Sequence, residues 1–122
     1  MKKEILIYSD NISLYGKYRN ILENNNFSTS FRSTYDEVIS HLNKNNVMLV
    51  IIDLECDIVD INFSIFDELL NRKIKCILMV NLLAFTNSMI NRMLYTYDDV
   101  LIMNKQFINT DFLNEITKFL ED

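Results

Sequence analysis

A doubly wound α/β sandwich is the fold class this sequence predicts, and three observations carry it. Short, unbroken apolar runs recur along the chain, clearest in Val47 to Ile52 and Cys76 to Val80. A strand that meets water on one face alternates apolar and polar residues, whereas one covered on both faces does not. Between these runs, apolar residues repeat every three to four positions, the spacing of a buried helical face. The connections are too short for anything but crossovers, so the strands lie parallel, and five strands alternate with five helices.

Taken in order, Lys3 to Tyr8 (KEILIY) reads as the first strand. Ser9, Asp10 and Asn11 all suit an N-cap, and Leu14, Tyr18, Ile21 and Leu22 mark the inner face of the helix that follows. The asparagine run Asn24 to Asn26 ends it, and Phe27 to Arg32 is a more polar strand suited to a sheet edge. Thr34 to Glu37 has the form of a capping box, followed by a helix that buries Tyr35, Val38, Ile39 and Leu42 and leaves His41 on its wet side. Val47 to Ile52 is the third strand. A helix from about Asn62 to Arg72 turns Phe63, Phe66, Leu69 and Leu70 inward. Lys75 to Val80 is the fourth strand, and a helix from about Thr86 carries Met89, Ile90, Met93, Leu94 and Tyr97. Val100 to Met103 is the last strand. Asn109 or Thr110 caps a final helix built on Leu113, Ile116 and Leu120.

The chain of 122 residues suits a single domain over residues 1–122 with no output domain after it. Its longest apolar runs fall far short of a bilayer span and its amino terminus is not a signal sequence, so the expected location is cytoplasmic, with no membrane partner. A net charge of -5 gives no electrostatic footprint for nucleic acid. The two cysteines, Cys56 and Cys76, lack a CxxC spacing and are expected as reduced thiols, Cys76 in the core. No residue set supports Ser-His-Asp or Cys-His nucleophilic catalysis, and the one glycine, Gly16, lies inside a helix rather than in a phosphate-binding loop. Enzymatic activity and flavin or nucleotide binding are therefore not expected.

Chemistry gathers instead at the strand ends. Asp53 closes the most apolar strand, and Glu55, Asp57 and Asp60 follow within eight residues. In open α/β sheets the ligand crevice lies at the carboxyl ends of the strands. Strands one, three, four and five open on one edge of such a sheet, which brings Asp10, Asp53, Asn81 and Lys105 toward a common point. An N-cap, a turn carboxylate and a surface lysine are the plain structural roles open to Asp10, Asp53 and Lys105.

These residues resemble the receiver domain of bacterial two-component response regulators along the whole chain. The opening ILIYSDN is similar to the family's first strand with its terminal acidic pair. Asp53-Leu54-Glu55-Cys56-Asp57-Ile58-Val59-Asp60-Ile61 keeps the first Asp, the Leu and the second Asp of the phosphoacceptor segment. Leu78-Met79-Val80-Asn81 matches the end of strand four, and Lys105-Gln106-Phe107 matches Lys-Pro-Phe. The resemblance implies a flavodoxin-like (CheY-like) fold with strand order 2-1-3-4-5. It implies phosphorylation of Asp53 by a histidine kinase, Mg²⁺ held by Asp10, Asp53 and the backbone carbonyl of Glu55, and Lys105 and Asn81 facing the phosphoryl group. It also implies a downstream protein or a homodimer on the face made by the fourth helix, fifth strand and fifth helix.

Where the family has a second acidic residue, a Thr or Ser, and a switching aromatic, this chain has Ser9, Asn81 and Ile102. The resemblance implies that the first change weakens Mg²⁺ binding without abolishing it. Two functions follow as expectations: a stand-alone phosphorylated receiver in signal transduction, or a degenerate receiver serving as a phosphorylation-independent interaction or dimerisation module.

Overall fold

The computed structural model describes residues 3–53, 64–80, 97, 99–104 and 112–121. Its strands are β1 (Lys3–Ser9), β2 (Phe27–Arg32), β3 (Leu49–Asp53), β4 (Lys75–Val80) and β5 (Val100–Asn104). The helices among the described residues are α1 (Ile12–Glu23), α2 (Tyr35–Lys44), α3 (Ser64–Asn71) and α4 (Phe112–Glu121). All strand pairs are parallel, in the order β2-β1-β3-β4-β5. Of the helix expected from about Thr86 only Tyr97 is described, outside any helix and buried in the core with Phe66 and Leu69; the rest lies outside the described residues, as do the expected caps Asn109 and Thr110.

The pleat divides the core in two. Leu6, Tyr8, Val50, Ile52, Cys76, Leu78 and Val80 pack on one face with Val38 and Leu42 of α2 and with Ile65, Phe66 and Leu69 of α3. Ile5, Ile7, Leu49, Ile51, Ile77 and Met79 pack on the other with Tyr18 and Leu22 of α1 and with Phe112 and Ile116 of α4. Both faces of β3 are sealed, which is why its sequence is continuously apolar rather than alternating. By contrast, all six residues of β2 are half-buried, as expected of an edge strand.

Local chemistry sets the element ends. Asn11 caps α1, its side-chain oxygen accepting from the Ser13 amide at 2.9 Å. Thr34 caps α2 by accepting from the Glu37 amide at 3.2 Å, and the Glu37 carboxylate in turn receives the Thr34 hydroxyl at 2.8 Å. With one glycine and no proline in the chain, turns use other residues in the left-handed region, Asn26 at φ 70° and Lys73 at φ 58°. Lys73 donates to the Leu70 carbonyl and Ile74 to the Leu69 carbonyl, at 3.1 and 2.9 Å, which is the Schellman closure of α3.

Two expectations need correction. His41 is not on a wet face: it is 8% exposed, and its Nε2 meets the Glu4 carboxylate and lies 3.2 Å from the Ser30 hydroxyl. The helical stripe is one residue wider on its β2 side than the apolar spacing alone indicated, because a carboxylate on β1 gives the imidazole a partner. Leu70 is not inward but 46% exposed, and Ile65 takes the inner position beside Phe66 and Leu69. A helix presents about 100° of apolar arc, and Ile65, Phe66 and Leu69 already fill it.

Candidate functional site

The carboxyl edge of the central strands holds the candidate site. Ser9, the last residue of β1, stands in register with Asp53, the last residue of β3. Asp10 therefore follows directly beyond Asp53's partner on the neighbouring strand. Asp53 is 1% exposed, whereas Asp10 is exposed at the mouth of the β1–α1 turn. Two carboxylates from distant stretches of sequence thus reach one edge.

Ser9 is wound into its own turn. Its hydroxyl accepts from the Asn11 amide at 3.1 Å and donates to the Asn11 carbonyl at 3.3 Å, and the residue is fully buried. A serine there organises the entry to α1 instead of adding a third carboxylate. β4 and β5 end at the same edge, with Val80 beside Asn104. Asn81, Lys105 and Glu55, together with the acidic stretch that contains Asp57 and Asp60, lie outside the described residues. Ile102 pairs with Leu78 and packs against the core beneath α2 and α3.

Sequence reasoning missed one participant. The Tyr18 hydroxyl, from the middle of α1, donates to Oδ2 of Asp53. Tyr18 is fully buried, its ring 5.4 Å from that of Phe112 and tilted by 54°. Burial first, then the Asp53 charge and this hydrogen bond, push the Tyr18 hydroxyl well above the usual tyrosine range. It therefore remains a protonated donor, and the bond to the carboxylate is charge-assisted. The signal was available in the pleat: Asp53 has the parity of Leu49 and Ile51, so its side chain starts on the α1 face. A tyrosine buried on that face needs a polar partner for its hydroxyl.

The donor set suits a hard divalent cation. Mg²⁺ takes oxygen ligands, keeps several waters and needs only one or two carboxylates from the protein. Asp10 and Asp53 offer that much; among the described residues no larger group of metal-ligating side chains occurs. No helix among the described residues is long and apolar enough to cross a membrane.

No family model matches this sequence, and no curated protein matches it. Solved structures do. The CheY-like response regulator receiver domain protein of Methanospirillum hungatei JF-1 superposes with a TM-score of 0.80 at 18% identity, over 99% of this chain and 95% of that one. The signal receiver domain of an HD domain-containing protein from Pseudomonas fluorescens Pf-5 gives 0.80 at 14% identity, over 99% and 96%. An adenylate cyclase structure from Rhodopirellula baltica gives 0.76 at 15%, over 99% and 89%. At such identities the likeness is one of architecture. Five parallel strands in the order 2-1-3-4-5, wrapped by helices on both faces, give this chain the fold of the CheY-like receiver domains.

Proposed function

We propose that the chain is a divergent response-regulator receiver in which Asp53 accepts a phosphoryl group from a histidine kinase. The observation that carries this reading is the buried carboxylate of Asp53 at the carboxyl end of β3, in register with Ser9 and beside the exposed Asp10. On this reading an Asp53 oxygen forms a bond to phosphorus while the bond from phosphorus to the donor breaks, and the electron pair leaves with the donor group. The product is an acyl phosphate: the carboxylate's negative charge is carried off with the displaced donor group, and the phosphoryl oxygens keep the charge they brought. Asp10 and Asp53 would hold Mg²⁺, with the Glu55 carbonyl as a further ligand. When bound, the metal neutralises charge on the transferring oxygens. Lys105 would pair with the phosphoryl group and Asn81 would donate to it. A kinase and a downstream protein or second copy are the proposed partners, in the cytoplasm, the output lying on the face that includes β5 and the C-terminal helix.

The test is incubation with acetyl phosphate, with and without millimolar Mg²⁺, followed by intact-mass measurement. A Mg²⁺-dependent gain of one phosphoryl group in wild type, absent in Asp53→Asn, is expected. Labelling that survives Asp53→Asn overturns the assignment.

One pair of observations favours the alternative, a degenerate receiver acting as an interaction or dimerisation module. Ser9 spends its hydroxyl on its own turn, and the Asp53 carboxylate is already engaged by Tyr18. Absence of labelling in wild type, together with a concentration-dependent sedimentation coefficient, selects that reading.

A further inference from the structure

We propose that Tyr18 is the positioning residue of the Asp53 carboxylate and transmits its charge state to α4 through the ring of Phe112. The proposal rests on the reading of Asp53 as phosphoacceptor for its biological use, but the coupling itself needs no phosphodonor.

Tyr18 brings a hydroxyl into a cluster whose other buried members are aliphatic, methionine or phenylalanine. That hydroxyl donates to Asp53 Oδ2. No part of Tyr18 is exposed, so bulk solvent does not reach its hydroxyl. The strength of the contact depends on the acceptor's charge, because hydrogen bonds to an ionised group are roughly twice as strong as neutral ones. Whatever removes the full charge from the Asp53 oxygens, an acyl phosphate included, weakens the hold on the Tyr18 hydroxyl. A buried hydroxyl whose acceptor fails must find another, and the ring moves with it.

The ring is not free to move alone. It lies 5.4 Å from Phe112, the first residue of α4, which is 1% exposed, and Ile116 on the next turn of α4 is fully buried in the same cluster. Interiors packed at crystal-like density pass on such a displacement instead of absorbing it. The path from Asp53 to α4 therefore runs through an aromatic on α1. This chain has Ile102 at mid-β5, where an aliphatic side chain paired with Leu78 carries no hydroxyl to follow a charge. Tyr18 supplies both the ring and the polar tip.

The experiment is a double-mutant cycle read by amide resonances of α4 (Phe112–Glu121) in wild type, Asp53→Asn, Tyr18→Phe and the combined variant. Asp53→Asn removes the charge with little change of shape. It is expected to displace α4 amide resonances in the Tyr18-containing protein and to lose that effect when Tyr18→Phe is also present. Equal displacement in both backgrounds, or none in either, overturns the proposal. A second cut uses Phe112→Leu: there Asp53→Asn still shifts the Tyr18 ring resonances, while the α4 displacement shrinks; an undiminished α4 displacement overturns the role of Phe112. Since no phosphodonor is added, failure here leaves acetyl phosphate labelling of Asp53 unaffected, and failure of that labelling leaves this cycle decisive.

Discussion

Cys76 shows how burial alone rewrites the chemistry of a side chain. It is 1% exposed on the inner face of β4, and burial lifts its thiol far above the ordinary value of 9.0. Below that pH both folded and unfolded chains keep the proton. Above it the unfolded chain sheds the proton and the folded chain does not, so stability falls as pH rises from about 9, by up to about 1.4 kcal/mol per pH unit. Urea denaturation at pH 8 and pH 10 should show a steeper loss in wild type than in Cys76→Ala. The same residue scale exposes what a sequence withholds. Asp53 and Asp10 were legible because one ends β3 and the other directly follows β1, and strand ends define the crevice. Tyr18 and His41 were not, because each is decided by an acceptor far along the chain: Asp53 for one and Glu4 for the other, 35 and 37 positions away. Periodicity reports that a residue faces inward, not which polar group will meet it there.

At the scale of elements, the chain places its glycine and its left-handed residues in opposite sites. Gly16 lies mid-way along α1 in open space, where an added Cβ would meet nothing within 4 Å. Gly16→Ala should raise the unfolding free energy by about 0.5 to 1 kcal/mol, read from chemical denaturation midpoints. Lys73, by contrast, closes α3 at φ 58° with a side chain that crowds the backbone. Lys73→Gly should stabilise by up to about 1 kcal/mol, and Lys73→Val should destabilise by a similar amount or more, because a β-branched residue tolerates that region worst. α4 is held from the sheet as well: the Lys75 ammonium on β4 donates to the Phe119 carbonyl and lies 5.1 Å from the centre of its ring. Strand positions were readable nearly to the residue, since β2 and β4 fall on the stretches Phe27 to Arg32 and Lys75 to Val80 read for them. Helix orientation was less so, and Leu70 shows why: Ile65 and Leu70 compete for one arc, and which of them wins depends on where the sheet lies.

For the molecule as a whole, parallel order was legible because short connections and both-face burial leave few topologies. The order has a measurable signature. β1 and β3 sit at the centre with every described flank covered, while β2 forms one border. Native-state hydrogen exchange should find the amides of Ile5 to Ile7 and Val50 to Ile52 opening only with global unfolding, and those of Phe27 to Arg32 opening at lower free energy. Equal protection across the sheet would contradict the layering.

The placement of β1 between β2 and β3 bears on the birth of the protein. As the chain leaves the ribosome, β1 and β2 can pair early, but the other edge of β1 stays open, a template for wrong partners, until β3 has emerged. Asp53 is the last residue of that third strand. The growing polypeptide therefore closes its most vulnerable border and delivers the carboxylate to the waiting Tyr18 hydroxyl in one docking event. A nascent chain halted before that point would have neither.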